Sequence, residues 1–228
     1  MKHPGAGTCE IYVSNRALKV ISLDNKYEII ALAPDWKVTT YNTITKLICE
    51  MPLKQWLMFI GALSDGWSIV TTQDTVQDKV SLAGLPARVL TTPLKGRNLG
   101  WPDTFNTQSY VKEEAFYYAG RAIPHEAALI LNQLFDQESA SELVLGLTLV
   151  RKDGTRFKQI WTDKSSAIEL PPKFFEAPEG MRKADLGQVV GNVVAKPSEI
   201  REMIDGMGLG NDFGKRLHKD GSAKPKLP

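Results

Sequence analysis

Cysteine and histidine are scarce in this chain of 228 residues, which holds two of the first and three of the second. Two thiols cannot staple a disulfide scaffold, and neither Cys9 nor Cys49 is flanked by the Cys, His or basic residues of a redox or metal site. Strands running up and down would set the two several positions apart, at about 4.8 Å per position, so two buried free thiols are expected in preference to one bridge. His3, His125 and His218 lie far apart with no second ligand at metal-binding spacing. His125-Glu126 opens like a zinc-protease helix, but Leu129 and Ile130 stand where the second histidine would fall.

Long apolar runs are also missing. Met1 to Gly7 has no signal-peptide core, and the uncharged run Gln55 to Ser64 is far short of the roughly 20 apolar residues that a membrane-spanning helix needs. No transmembrane segment is expected. Thr8 and Cys9 already read as a first strand, so an exported form would carry its signal peptide ahead of this sequence. Nor does one charge dominate: 28 Lys and Arg against 26 Asp and Glu give +2. The basic residues near the end (Lys215, Arg216, Lys219, Lys224 and Lys226) face only Asp220 and read as a solvated tail. No basic stripe interleaves with Trp36, Trp56, Trp67, Trp101 and Trp161, so nucleic acid is not expected as a partner.

Catalytic patterns are absent too. No serine stands in a nucleophile elbow. Glu113 and Glu114 are neighbours on a predicted strand and must point to opposite faces. Gly206 and the run Gly208 to Asn211 follow a predicted helix and lack the Lys-Ser/Thr pair of a phosphate loop. Asp35, Lys37 and His125 are the only titratable candidates for a cleft. The reading is of a non-enzyme with no cofactor and no metal.

What the chain does have is β pattern. Cys9 to Val13, Leu18 to Leu23, Tyr27 to Ala33, Trp36 to Tyr41 and Lys46 to Met51 are short β-favouring runs divided by turn residues, which makes an antiparallel meander. At Pro52 the period changes, and a short apolar helix follows with Trp56, Phe59, Ile60 and Leu63 on one stripe. Trp67 to Thr72, Val76 to Leu82 and Ala87 to Thr92 are predicted strands, and Pro93 to Asn106 an irregular loop packing through Leu99, Trp101 and Phe105. Tyr110 to Ala119 is a strand with Phe116 and Tyr118 on one face and Ala115 and Tyr117 on the other. His125 to Gln137 is a helix behind Pro124, with Ala127, Ile130, Leu131, Leu134 and Phe135 sharing a face and Glu126, Asn132, Gln133 and Asp136 turned away.

The pattern is plainest from Ser141 to Gly180. Leu143, Leu145, Leu147 and Leu149 alternate as one apolar face, Asp153-Gly154 turns the chain, and a second strand carries Phe157 and Trp161 on one face. A further extended piece is expected at Ala167 to Leu170. Beyond Gly180, Val189 to Ala195 reads as a weak strand and Pro197 to Met207 as a short helix. Ten or eleven strands with two central helices make a mainly β, α+β domain. A sheet that size must curl to hide its edges and one face, so a strongly curved antiparallel sheet or incomplete barrel is expected, with helices plugging the concave side.

Several stretches, in order, resemble the LolA-like outer-membrane lipoprotein-carrier superfamily, closest to its less characterised branches. They are Ala33-Pro34-Asp35-Trp36-Lys37-Val38 with Tyr41-Asn42; Gly84-Leu85-Pro86-Ala87; Tyr117-Tyr118 leading through Ile123-Pro124 into a helix; Gly146-Leu147-Thr148-Leu149 before Asp153-Gly154; and Pro172 through Phe175-Glu176-Ala177-Pro178-Glu179-Gly180-Met181. The resemblance spans roughly Thr8 to Lys183, which sets a half-barrel domain at 8–183 and a C-terminal extension at 184–228, partly helical, then flexible and basic. It implies an extracytoplasmic, periplasmic carrier whose hydrophobic cavity takes a lipid or acyl chain, with a lipoprotein or membrane-associated protein as a possible partner. The residues offered as its lining are Trp36, Trp56, Phe59, Ile60, Phe116, Tyr118, Ile130, Leu131, Leu134 and Trp161. The same fold with a filled core, serving as a structural or interaction module, is the alternative. Lipoprotein carriers hold their lid with an arginine on an early strand; the comparable stretch here reads Asp35-Trp36-Lys37, which leaves Lys37 for that task.

Overall fold

Short turns dictate the first half of the fold. In the computed structural model, which describes residues 1–3, 7–63, 75–94, 110–135 and 142–194, the chain runs through β1 (Lys2–His3), β2 (Gly7–Val13), β3 (Ala17–Ser22), β4 (Tyr27–Leu32), β5 (Lys37–Asn42) and β6 (Leu47–Met51). The turns are held by polar side chains. The Asp24 carboxylate accepts the Thr8 N–H at 2.6 Å, and Asn42 Oδ1 accepts those of Ile44 and Thr45 at 2.9 and 3.0 Å. Such local bonds let Asx residues close a turn. Pro52 then precedes α1 (Leu53–Leu63), and β7 (Thr75–Leu82) turns into β8 (Leu85–Pro93) through Ala83-Gly84, both at positive φ. β9 (Tyr110–Tyr118), α2 (His125–Leu134), β10 (Val144–Arg151), β11 (Arg156–Trp161), β12 (Arg182–Lys183) and α3 (Leu186–Val194) complete the described chain.

The strands line up in the order β12-β6-β5-β4-β3-β2-β1-β11-β10-β9-β8-β7. All neighbours are antiparallel except β12, which lies parallel to β6. The result is a mainly β, α+β fold, and among the described residues the sheet does not close into a barrel. The two-residue β1 joins the halves by pairing β2 on one side and Trp161 of β11 on the other. So short a strand carries no pattern for sequence reasoning to find. Cys9 on β2 and Cys49 on β6 are separated by three strands, and both thiols are free.

The three helices of the described residues lie on one face of the sheet, called inner here. Leu18, Val20, Ile29, Ala31 and Val38 from β3–β5 and Ala115, Tyr117, Leu147 and Ile160 from β9–β11 form one buried cluster with Trp56 of α1, Ala127, Ile130 and Leu131 of α2, and Leu186 of α3. On α2, Asn132 is only 3 % exposed, so the face expected to point away is partly buried too.

Register corrects the face assignments in the second half. Val144 pairs with Tyr117 and Gly146 with Phe116, so Leu145 is an extra residue between them, and it joins a separate outer cluster with Leu82 and Ala87. The four alternating leucines therefore do not share one face. On β11, Leu147 pairs with Ile160 and Thr148 with Lys158, which makes Gln159 a bulge. Phe157 stays opposite inner Leu149, while Trp161 lies opposite outer Gly146. A single inserted residue reverses every later side chain, so Phe157 and Trp161 face opposite ways.

After β11 the chain departs from expectation again. Ala167 to Leu170 joins no strand, and Asp163 through Glu169 are exposed. Thr162 still donates to the Leu145 carbonyl of β10, and beyond it the chain to Pro171 joins no strand; there Ser165 Oγ donates to the Ala83 carbonyl at 2.7 Å. A 3-10 turn, Pro172–Phe175, then packs on the outer face of β3 and β4. Of the stretch read as a weak strand at Val189 to Ala195, residues 189–194 are instead part of α3, and Ala195 lies outside the described residues. Its valines suggest β structure, but Leu186 and Val189 lie three apart on one buried helical face. Trp67 to Thr72, Leu99, Trp101, Phe105, Pro197 to Met207 and the basic tail lie outside the described residues.

Candidate functional site

Seven of the ten residues proposed as a cavity lining stand on the inner side, and three do not. Trp36, in a turn at φ 48°, is 6 % exposed; Trp56 is 1 % exposed, and Ile130 and Leu131 are fully enclosed. The Trp56 indole N–H donates to Thr40 Oγ1 at 3.2 Å, which seats α1 over β5. Leu134 and Ile60 are half-buried against the same cluster. These side chains are packed against the protein's own residues.

Phe116, Tyr118 and Trp161 lie on the opposite, outer face with Leu82, Ala87 and Leu145. Phe116 and Trp161 meet edge to face at 5.6 Å, and the Lys158 ammonium sits 3.7 Å from the Trp161 ring centroid. Gly146 makes this possible: a Cβ there would lie 2.9 Å from a Leu82 methyl and 3.2 Å from Trp161. The bulge at Gln159 turned Trp161 outward, whereas Phe116 and Tyr118 share a face of β9 as expected and that face is the outer one.

α1 carries the feature that sequence reasoning half saw. Leu53, Trp56, Leu57 and Ile60 face the core, while Met58 is 68 % and Phe59 36 % exposed. Phe59 does not share the Trp56 stripe; it leans toward α3, its Cζ 3.7 Å from where a Gly187 Cβ would stand. Met58 was missed, although the run Leu57-Met58-Phe59 signals it. Successive residues on a helix are about 100° apart, so three in a row cannot all face inward.

The charged groups lie elsewhere. Lys37 is on the outer face and pairs with Glu50 at 2.7 Å, so it reaches no helix and cannot hold a lid. That ammonium holds the Glu50 carboxyl below its usual range. Burial pushes the Cys9 thiol up to about 11 and raises Tyr27 and Tyr41 as well, which keeps all three neutral at physiological pH. His125 is exposed at the start of α2. Glu113 and Glu114 do face opposite ways, the first opposite Leu149 and the second opposite Thr148. Glu114 is held by Arg156 at 2.6 Å and Lys112 at 2.7 Å.

Among the described residues no three His, Cys, Asp or Glu are placed to hold a metal ion, and no helix is long and apolar enough to cross a membrane. No protein-family model and no curated protein matches the chain.

Proposed function

We propose that the protein is an extracytoplasmic carrier of a hydrophobic ligand, a lipid or the acyl chain of a lipidated protein, with no catalytic activity. One observation carries this reading: on the side of α1 turned from the core, one turn past exposed Lys54 and Gln55, the apolar Met58 and Phe59 are exposed too, with Phe59 beside Gly187 of α3. Two adjacent exposed apolar side chains gain free energy when they are covered. An acyl chain laid along that side of α1 supplies the cover. Burying the exposed parts of two such side chains is worth about 3 kcal/mol before the costs of association. The resemblance to lipoprotein carriers supports the ligand class and the compartment.

The filled core favours a second reading. Trp36, Trp56, Ile130 and Leu131 have no more than 6 % of their surface free, as expected of a structural or interaction module of the same architecture. Native mass spectrometry of the purified protein, followed by organic extraction, separates the two. A carrier retains a stoichiometric lipid or acyl chain and loses it in the Met58→Asp/Phe59→Asp double variant with its circular dichroism unchanged. A bare mass, with no uptake of added fatty acid or lipopeptide, overturns the carrier in favour of the module.

A further inference from the structure

Residues 162–194 grip one end of the sheet from three sides. Outside, Phe174 stacks edge to face on Tyr12 at 4.7 Å, and Lys19 Nζ donates to the Phe174 carbonyl at 3.1 Å while lying 4.7 Å from its ring. Lys19 is itself paired with Glu28 at 2.9 Å, and Tyr41 donates to the same carboxylate. At the edge, the Arg182 and Ala184 N–H groups donate to the Lys46 and Ile48 carbonyls at 2.8 and 2.9 Å. Inside, Leu186 and Val189 are buried, and Asn42 Nδ2 donates to the Val189 carbonyl at 3.3 Å. One covalent segment thus clasps the outer face, the edge and the inner face of β3–β6.

The grip is made of weak parts. The connector from Asp163 to Glu169 is exposed. α3 has nine residues, Gly187 and Gly191 among them. A helix that short does not persist without packing, and each glycine costs about 1 kcal/mol relative to alanine. Among its described side chains, α3 is seated by buried Leu186 and Val189 and half-buried Val190, and it depends on the anchors that precede it.

We infer that residues 171–194 open as one unit, a belt latched by Lys19 and Phe174, and that opening uncovers the edge of β6, the inner surface of β5 and β6, and the flank of α1 at Phe59. Units with few buried contacts and exposed connectors are those that open below the global unfolding free energy. The purpose of the opening, admission of the hydrophobic ligand to α1, rests on the carrier reading. The opening itself does not.

Amide hydrogen exchange on the full chain tests it. The N–H groups of Arg182, Ala184 and Val189 exchange together and at least about tenfold faster than those of β3 and β4. Phe174→Ala speeds them by about a further tenfold and leaves β9 and β10 unchanged. The reciprocal variant, Val189→Ala, speeds the Phe174 and Glu176 N–H groups on the outer face by a similar factor. Belt amides that exchange in step with β3 and β4, or variants whose effects stay within their own anchor, overturn the inference. Uptake of a fluorescent palmitate analogue decides the rest. Faster uptake by Phe174→Ala supports the gate, and unchanged uptake with binding intact removes it. No uptake by either chain removes the carrier reading while the exchange result stands.

Discussion

The two halves of the sheet solve one problem differently. From β2 to β6 the register is unbroken, inner and outer residues alternate, and the outer face is covered from a distance by the Phe174 segment. From β7 to β11 the register shifts at four places, between Gln77 and Val80, Val144 and Gly146, Leu147 and Thr148, and Val150 and Arg151. There the outer face covers itself with Leu82, Phe116, Leu145 and Trp161. Bulges twist a strand and re-aim its side chains, so this half builds a second small core on the side that the first half leaves to a strap. The same pattern of apolar residues therefore means different things in the two halves.

The largest test of that contrast sets the central core against the outer cluster. Ile130, fully enclosed, costs about 3 kcal/mol on replacement by alanine. Trp161, half-buried beneath Lys158, costs roughly half as much despite its size, and Trp161→Ala leaves ligand uptake unchanged. Urea denaturation of both variants checks the ranking. Equal losses, or lost uptake in Trp161→Ala, would place that indole in the central core.

Next in size is the dependence of each outer face on charge. Lys19→Met leaves Glu28, whose side chain is 16 % exposed, without its cation, at a cost of about 2 kcal/mol. Lys112→Met leaves Glu114 still bonded to Arg156 at 2.6 and 3.3 Å and costs less than about 1 kcal/mol. Similar midpoints for the two variants would break the contrast between a strap-covered and a self-covered face.

These differences explain what was legible. In the first half, five strands and the helix after Pro52 could be read from turn residues and period, because no bulge intervenes between pattern and face. The mainly β class followed from strand number alone. In the second half, the elements were legible but their faces were not: the positions of Leu145 and Gln159 as extra residues depend on pairing partners distant in sequence, which periodicity does not encode. Trp161 was assigned to a cavity for that reason; Phe116 and Tyr118 do share a face, but which face of β9 meets the helices is decided by tertiary packing and not by period. α3 was misread because valine favours strands wherever tertiary packing does not decide otherwise. On α1, counting apolar residues found the helix; only the packing shows that Met58 and Phe59 remain uncovered.

Gly146 offers a smaller test of the self-covered face. Gly146→Ala brings a methyl to 2.9 Å from Leu82 and 3.2 Å from Trp161. The Leu82 methyl ends a flexible side chain and can give way, whereas the indole is held by Phe116 at 5.6 Å. The cost is about 1–2 kcal/mol, and the near-ultraviolet dichroism of Trp161 changes. A Gly146→Ala chain as stable as the parent, with its tryptophan signal intact, would mean that the outer cluster is loosely packed and the comparison overstated.

The smallest effect is reserved for alkaline pH and belongs to the unbroken half. Cys9 ionises near 9.0 when exposed and is pushed up to about 11 by burial on β2. Because the folded state holds this proton more tightly, its contribution is complete below pH 9 and is lost as pH rises through 11. By pH 10 the loss is about 1 kcal/mol. Tyr27 and Tyr41, also raised by burial, add to the decline at higher pH. Cys9→Ala should flatten the limb between pH 9 and 10 and leave the steeper fall above it. At pH 8 a thiol reagent should modify half-buried Cys49 first and reach Cys9 only on unfolding. If Cys9 reacts as fast as Cys49 in the native protein, the inner face of β2 is open to water, and the clean alternation of the first half no longer describes its packing.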